Sequence, residues 1–192
     1  MAHLAKRVLV RCLAISPVLV TILALAVLSF HENTRPVQAQ EAARVAVVSA
    51  FFDAIARGDV AGALAQFADD AFYVGGNPTG NCSTQAPCND LEGIRQQLQF
   101  NVGQHTCLTI RNVQVAGSVV LGTTEVRADQ FRARGIERAL VSFIAQIPQD
   151  KITLYVARFD LTDPQSALQV ALATGTAQPT SPPIPNPGTP CA

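Results

Sequence analysis

His105 and Cys107 flank a single threonine at the start of a stretch whose apolar residues alternate. On a strand, residues two apart share a face, so a cysteine–histidine nucleophile is one chemistry open to them. It needs a reduced, exposed thiolate. The plainer alternative is a strand-start histidine beside a buried or oxidised cysteine. Glu125 is the carboxylate best placed to serve a pocket, against the alternative of an outward-facing strand position. Arg127, Asp129, Arg158 and Asp160 supply the residue types of a water-activating Asp–Arg–Asp cluster, or of a ladder of surface ion pairs. Tyr73 and Tyr155 are the only tyrosines; each can turn a hydroxyl into a pocket or lie flat at a sheet edge. Phe52 can wall a pocket or fill a core. No G-x-S-x-G elbow supports a serine triad. His105 is the only histidine after residue 39, so a multi-histidine metal site is excluded there, and the cysteine spacing is not that of a zinc site. No cofactor is expected.

The N-terminus sets the compartment. Lys6, Arg7 and Arg11 precede an almost wholly apolar run, Cys12 to Phe30, and small residues follow at Val37-Gln38-Ala39. This is the pattern of a secretory signal peptide over residues 1–39, cut after Ala39. The alternative is an uncleaved membrane anchor at residues 12–30. The chain has 14 basic and 14 acidic residues, and residues 1–39 hold four of the former and one of the latter. Cleavage leaves 10 and 13, a net charge of −3 with no basic run, so nucleic acid is not an expected partner. Four cysteines remain, Cys82, Cys88, Cys107 and Cys191. In an oxidising compartment they suggest disulfides. Cys82 and Cys88 share one Gly/Pro/Asn-rich loop and are the expected pair; Cys107 is then a buried thiol or the partner of Cys191.

The elements that must position these residues can be read in order. Val45, Val48, Phe51, Phe52 and Ile55 recur at helical steps. Arg57-Gly58 ends that helix, and Asp59 caps a second, whose buried side is Leu64 and Phe67. Ala71 to Val74 reads as the first strand, and Gly76 to Asn89 as a long loop. Asn89 or Asp90 caps a third helix with Ile94, Leu98 and Val102 inward and Arg95, Gln96, Gln97 and Gln99 wet. From His105 the period becomes two. A phase slip near Arg111-Asn112 predicts a bulge or bend in a long strand. Strands follow over 119–127, Ile136 to Ile147 and from Ile152, with a polar link at Phe131 to Gly135. Asp163-Pro164 starts a last helix that Gly175 ends. Residues 176–192, rich in proline, threonine and serine, predict a flexible tail.

FFDAIARGDVAGALAQFADDAFYV resembles the opening of the SnoaL-like proteins of the nuclear transport factor 2-like superfamily. HTCLTIRNVQVAGSVV and IPQDKITLYVARFDLTD resemble later segments, so the likeness runs over roughly Ala42 to Asp163. Asp150 stands where that pattern has a turn glycine. The resemblance implies an α+β cone: a curved antiparallel sheet packed on three N-terminal helices, plus a C-terminal helix, with a mouth for a small apolar ligand. Ketosteroid isomerases of this fold need a phenol and two carboxyl groups at places that fall near Phe51, Gly75 and Ile144, none of which can act. The reading is therefore a SnoaL-like domain over 40–175, exported or in the cell envelope, that binds a small apolar molecule without catalysis. Its pocket candidates are Phe52, Tyr73, His105, Glu125 and Tyr155. One alternative is a cyclase, hydrolase or dehydratase using His105 or an Asp/Glu–Arg pair. Another is a module forming a homodimer through an apolar open sheet face.

Overall fold

The computed structural model describes residues 17–78 and 81–185. Lys6, Arg7, Arg11 and Cys12 of the expected signal, and Cys191, lie outside the described residues. The chain divides into two compact units, residues 1–39 and 40–192. In the first, the described part is helix, the beginning of α1 (Pro17–Ala56). That helix starts well before the expected apolar stripe, and Val37-Gln38-Ala39 lies within it. Among the described residues no helix is long and apolar enough to cross a membrane.

The second unit is built on the C-terminal part of α1. Its stripe of Val48, Phe51, Phe52 and Ile55 is at most 2% exposed. Gly58 closes the helix at φ +75°, a conformation glycine adopts without a Cβ penalty. Asp59 then caps α2 (Val60–Leu64), its Oδ1 accepting from the Gly62 N–H at 2.8 Å. The helix is shorter than its sequence suggests. Phe67 belongs to β1 (Phe67–Val74), which pairs from Phe67 onward, and Asp69-Asp70 falls in a break of register between Phe67 and Phe72.

The loop after β1 is held by the Cys82–Cys88 disulfide and by a bridge from Cys88 back to Tyr73. Asp90 caps α3 (Leu91–Gly103). Then come β2 (Cys107–Ala116), β3 (Val119–Arg127), a single turn α4 (Asp129–Arg132), β4 (Ala139–Gln146), β5 (Ile152–Phe159) and α5 (Pro164–Ala173). The stretch Phe131–Gly135, expected as a plain link, thus begins inside a helical turn, and β4 starts three residues later than predicted. Cys107 is itself disulfide-bonded. In the described part of the tail the Ile184 N–H donates to the Arg132 carbonyl at 2.8 Å.

The five strands form one curved, unclosed sheet in the order β1-β5-β4-β3-β2. One expectation needs correction. The sheet is mixed rather than wholly antiparallel: β2, β3, β4 and β5 pair antiparallel, but β1 runs parallel to β5. A hairpin would have made them antiparallel. Here residues 75–151 intervene, and such long crossovers permit parallel pairing. Among the described residues two helices precede β1 and α3 follows it, the order in which the sequence presents them. The predicted bulge is present as a register shift between Ile110 and Asn112. It brings Leu108, Ile110, Val113 and Val115 against one core despite their opposite phases in sequence. Gly122 faces that bulge. A Cβ there would lie 2.6 Å from the Asn112 carbonyl and 2.4 Å from the Phe143 ring, so the close approach requires glycine.

Candidate functional site

The sheet's pleat sorts side chains between two faces. On the inner face, between sheet and helices, lies a partly open cavity of about 80 Å³. Its walls are mainly apolar: Phe51 and Ile55 from α1, Leu108 from β2, Val126 from β3, Val141 from β4 and Phe159 from β5. The polar groups reaching it are uncharged. They include Tyr73, Tyr155, Gln97, Asn101 and Thr124. Among the described residues that line it there is no carboxylate, imidazole, ammonium or guanidinium.

The two tyrosines owe their meeting to the parallel pair. Tyr73 on β1 is the register partner of Tyr155 on β5, and their rings stack at 5.1 Å between centroids with 18° between planes. Both are 4% exposed. Burial pushes both phenols well above the ordinary tyrosine value. For Tyr73 the neighbouring Asn101 amide pulls back part of that rise; for Tyr155 the proximity of Tyr73 adds to it. Both hydroxyls therefore stay protonated at any physiological pH and act as hydrogen-bond donors, not as bases. Tyr73 is clamped from the other side as well: its N–H donates to the Cys88 carbonyl at 2.8 Å and its carbonyl accepts from the Cys88 N–H at 3.0 Å. The disulfide loop thus fixes the strand that carries the phenol.

Two amides join the site that residue types alone do not single out, Gln97 and Asn101. Gln97, expected on the wet side of its helix, is 7% exposed, and its Nε2 donates to Asn101 Oδ1 at 2.9 Å. The signal is present in the spacing: Ile94, Gln97, Leu98 and Asn101 follow three- and four-residue steps, so the two amides continue the buried stripe. Thr124, which alternation places inward, is fully buried and donates its hydroxyl to the Thr109 carbonyl at 3.2 Å.

The other candidates lie elsewhere. Phe52 is core: it is 2% exposed, packs edge-on against Phe143 with centroids 5.3 Å apart, and does not line the cavity. Of the other phenylalanines, Phe143 is buried but Phe100 is 42% exposed. Glu125 points to the opposite face from Thr124 and Val126, as its place between them requires. There it pairs with Arg111 and, at 2.9 Å, with Arg127. Desolvation raises its pKa, but the two guanidiniums outweigh that and hold the carboxyl below the usual range. Arg127 is thus engaged with Glu125, while Asp129 pairs with His105 and Arg132, so no Asp–Arg–Asp group converges in the cavity. His105 sits at φ +48° before β2, with its side chain half exposed and its Nδ1 2.5 Å from Asp129 Oδ2. The His105 contact and Arg132 together lower the Asp129 pKa against a smaller desolvation effect. Ala128 and Gln130 line the cavity, but neither His105 nor Asp129 does. The outer face between β2 and β4 carries Asn112, Gln114, Thr123 and Ser142 around Leu121 and Ile144, so it is mostly polar there. Among the described residues no group of three His, Cys, Asp or Glu could hold a metal ion.

Neither a family model nor a curated protein matches the sequence. Solved structures do match the fold. The epoxide hydrolase/cyclase-like enzyme SalBIII, described for pyran ring formation in the polyether salinomycin, superposes with a TM-score of 0.52 at 17% identity over 62% of this chain and 92% of its own. An NTF-2 like protein of unknown function from Burkholderia xenovorans LB400 gives a TM-score of 0.50 at 14% identity over 63% and 85%. A protein from Kribbella flavida DSM 17836 gives 0.50 at 11% identity over 68% and 95%. At these identities the likeness is one of fold alone, a fold shared with the NTF-2 like protein of unknown function and with SalBIII.

Proposed function

We propose that this chain is an exported, non-catalytic binding protein whose cone takes a small, largely apolar molecule, or the apolar end of a longer one. The observation that carries the reading is the cavity's lining: apolar walls, neutral hydrogen-bonding groups, and two phenols that burial keeps protonated. Such a lining favours a neutral guest and gives no base with which to transform it. Export is supported by the signal-like pattern of residues 1–39 and by the Cys82–Cys88 disulfide. The enclosed volume is about half the ~150 Å³ that accommodates benzene in an engineered core, so a larger guest must extend through the open side.

Native mass spectrometry of the protein secreted with its own leader tests this. The expected species begins at Gln40, carries two disulfides and retains a small neutral ligand. A protein that keeps residues 1–39 refutes cleavage after Ala39. A second reading, a hydrolase or cyclase, draws on the Asp129–His105 contact, which is how a general base is held. It predicts turnover of a small epoxide or ketone that is lost in His105→Ala; such a loss would overturn the non-catalytic reading.

A further inference from the structure

The polar groups of the cavity have directions, and those directions select a guest. Gln97 Nε2 donates to Asn101 Oδ1 at 2.9 Å, so the acceptor atom of Asn101 is occupied from the helix side. Its amide N–H groups are what remains for the Tyr73 hydroxyl beside it. Those groups give hydrogen bonds and take none. Thr124 turns its own proton away to the Thr109 carbonyl. Among the described residues no acceptor stands in hydrogen-bonding geometry to the hydroxyl of Tyr73 or of Tyr155. Neither oxygen is among the fully buried side-chain atoms without a partner, so each reaches the accessible surface of the cavity they both line. A buried hydroxyl without an acceptor is unfavourable, and a guest that supplies one removes that defect.

From this arrangement we infer that the cavity recognises the carbonyl end of a neutral, otherwise apolar molecule, with Tyr73 as the donor and with Gln97 and Asn101 as positioning residues behind it. This rests on the binding function proposed above. A carboxylate is a poor guest, because among the described residues no cation lines the cavity, and the surroundings that raise both phenols disfavour any buried negative charge. A pure hydrocarbon fits the walls but leaves the hydroxyls unpaired.

The test is a matched pair of probes, cyclopentanone and methylenecyclopentane, which share shape and differ in the acceptor oxygen. Each is titrated into the full mature chain by ligand-detected NMR, together with cyclopentanecarboxylate. Wild-type protein is expected to bind the ketone about two- to tenfold more tightly than the alkene, the span of one neutral hydrogen bond. In Tyr73→Phe that preference falls to about one. In Asn101→Leu the preference shrinks with Tyr73 intact. Equal binding of ketone and alkene in the wild type overturns this inference and leaves the apolar pocket standing. So does tighter binding of the carboxylate than of the ketone. Binding of none of the probes overturns both readings. Because the wild-type comparison needs no variant, misfolding of a substituted protein does not spare the inference.

Discussion

Val141→Ile asks the protein directly whether the cavity exists. Val141 is 5% exposed and lines it. Isoleucine keeps the β-branch that suits a strand and adds one methylene. If the methylene enters the hole, it is buried without displacing anything, a gain of about 0.8 kcal/mol. The space is sufficient: at ~24 cal/mol per Å³, about 80 Å³ of hole corresponds to roughly 2 kcal/mol of forgone packing. Val120 supplies the control. It is fully buried on the inner phase of β3 but does not line the cavity. Val120→Ile must force its methylene into filled core, which costs about 1–3 kcal/mol. The two substitutions are chemically identical and are predicted to differ in sign.

Urea and thermal denaturation of the mature chain read this out. At about 2–4 °C per kcal/mol for a domain of this size, Val141→Ile should raise Tm by roughly 2–3 °C. Val120→Ile should lower it by roughly 2–12 °C. The urea midpoint should move with unchanged slope in both, as befits a change in stability and not in compactness. Val141→Ile should also weaken ketone binding, since the guest and the new methyl compete for one space. If both variants lose stability alike, the inner face is as filled at Val141 as at Val120, and the binding function falls with the cavity.

Replacing Cys82 and Cys88 by serine opens a loop closed over a sequence separation of six; loop-closure entropy puts the cost at about 2 kcal/mol, read by denaturation, and ketone affinity should fall because the bridge to Tyr73 loosens. Asp163→Ala removes the cap of α5, where the carboxylate accepts from the Ser166 N–H at 2.9 Å and its hydroxyl at 2.8 Å, and should cost about 1–2 kcal/mol. At Asp163 desolvation raises the pKa, but the Ser166 hydrogen bonds and Arg138 outweigh it and hold the carboxyl below its usual value; a depressed folded pKa adds stability that is complete above the unfolded value near 4 and is lost as pH falls through the folded one. Stability of the wild type should therefore decline below about pH 4, and Asp163→Asn, less stable at neutral pH, should show a shallower decline; parallel curves would remove Asp163 from the account. Gly122→Ala places a Cβ 2.6 Å from the Asn112 carbonyl and should cost about 1–3 kcal/mol by overpacking, measured as a fall in the urea midpoint.

Local rules made much of this fold legible. The helix stripe through Phe51 and Phe52, the Gly58 stop, the caps at Asp59, Asp90 and Asp163, and the bulge beside Arg111 all depend on residues within a turn or two of one another. The loop disulfide is of the same kind. What escaped was the partnership of β1, because no neighbouring residue says which distant strand an eight-residue segment will join. That single long-range choice creates the Tyr73–Tyr155 stack. Sequence could name both tyrosines as candidates but could not bring them together. Gln97 escaped for another reason: glutamine is normally a surface residue, and only its register with Ile94 and Leu98 betrays a buried amide. Glu125 was legible in principle, since Thr124 and Val126 bracket it on a period of two. The apolar valine decides which phase faces the core.

That phase also decides what chemistry the cone can offer. Along β3 the residues alternate Thr124, Glu125, Val126, Arg127, and the inner set is neutral while the outer set is a carboxylate and a guanidinium paired at 2.9 Å. Slipping the strand by one residue would exchange the two sets completely. The cavity would then contain an acid and a base in contact, and the face toward solvent would carry threonine and valine. The slip is opposed by Val120, which is fully buried on the inner phase, and by Gly122, which alone tolerates the approach of Asn112 and Phe143. Each apolar or glycine residue that fixes the register thereby also keeps ionised groups out of the pocket. An inward carboxylate could be introduced only at a position already lining the hole, such as Val126→Glu, where it would be buried among apolar and neutral groups and would remain protonated.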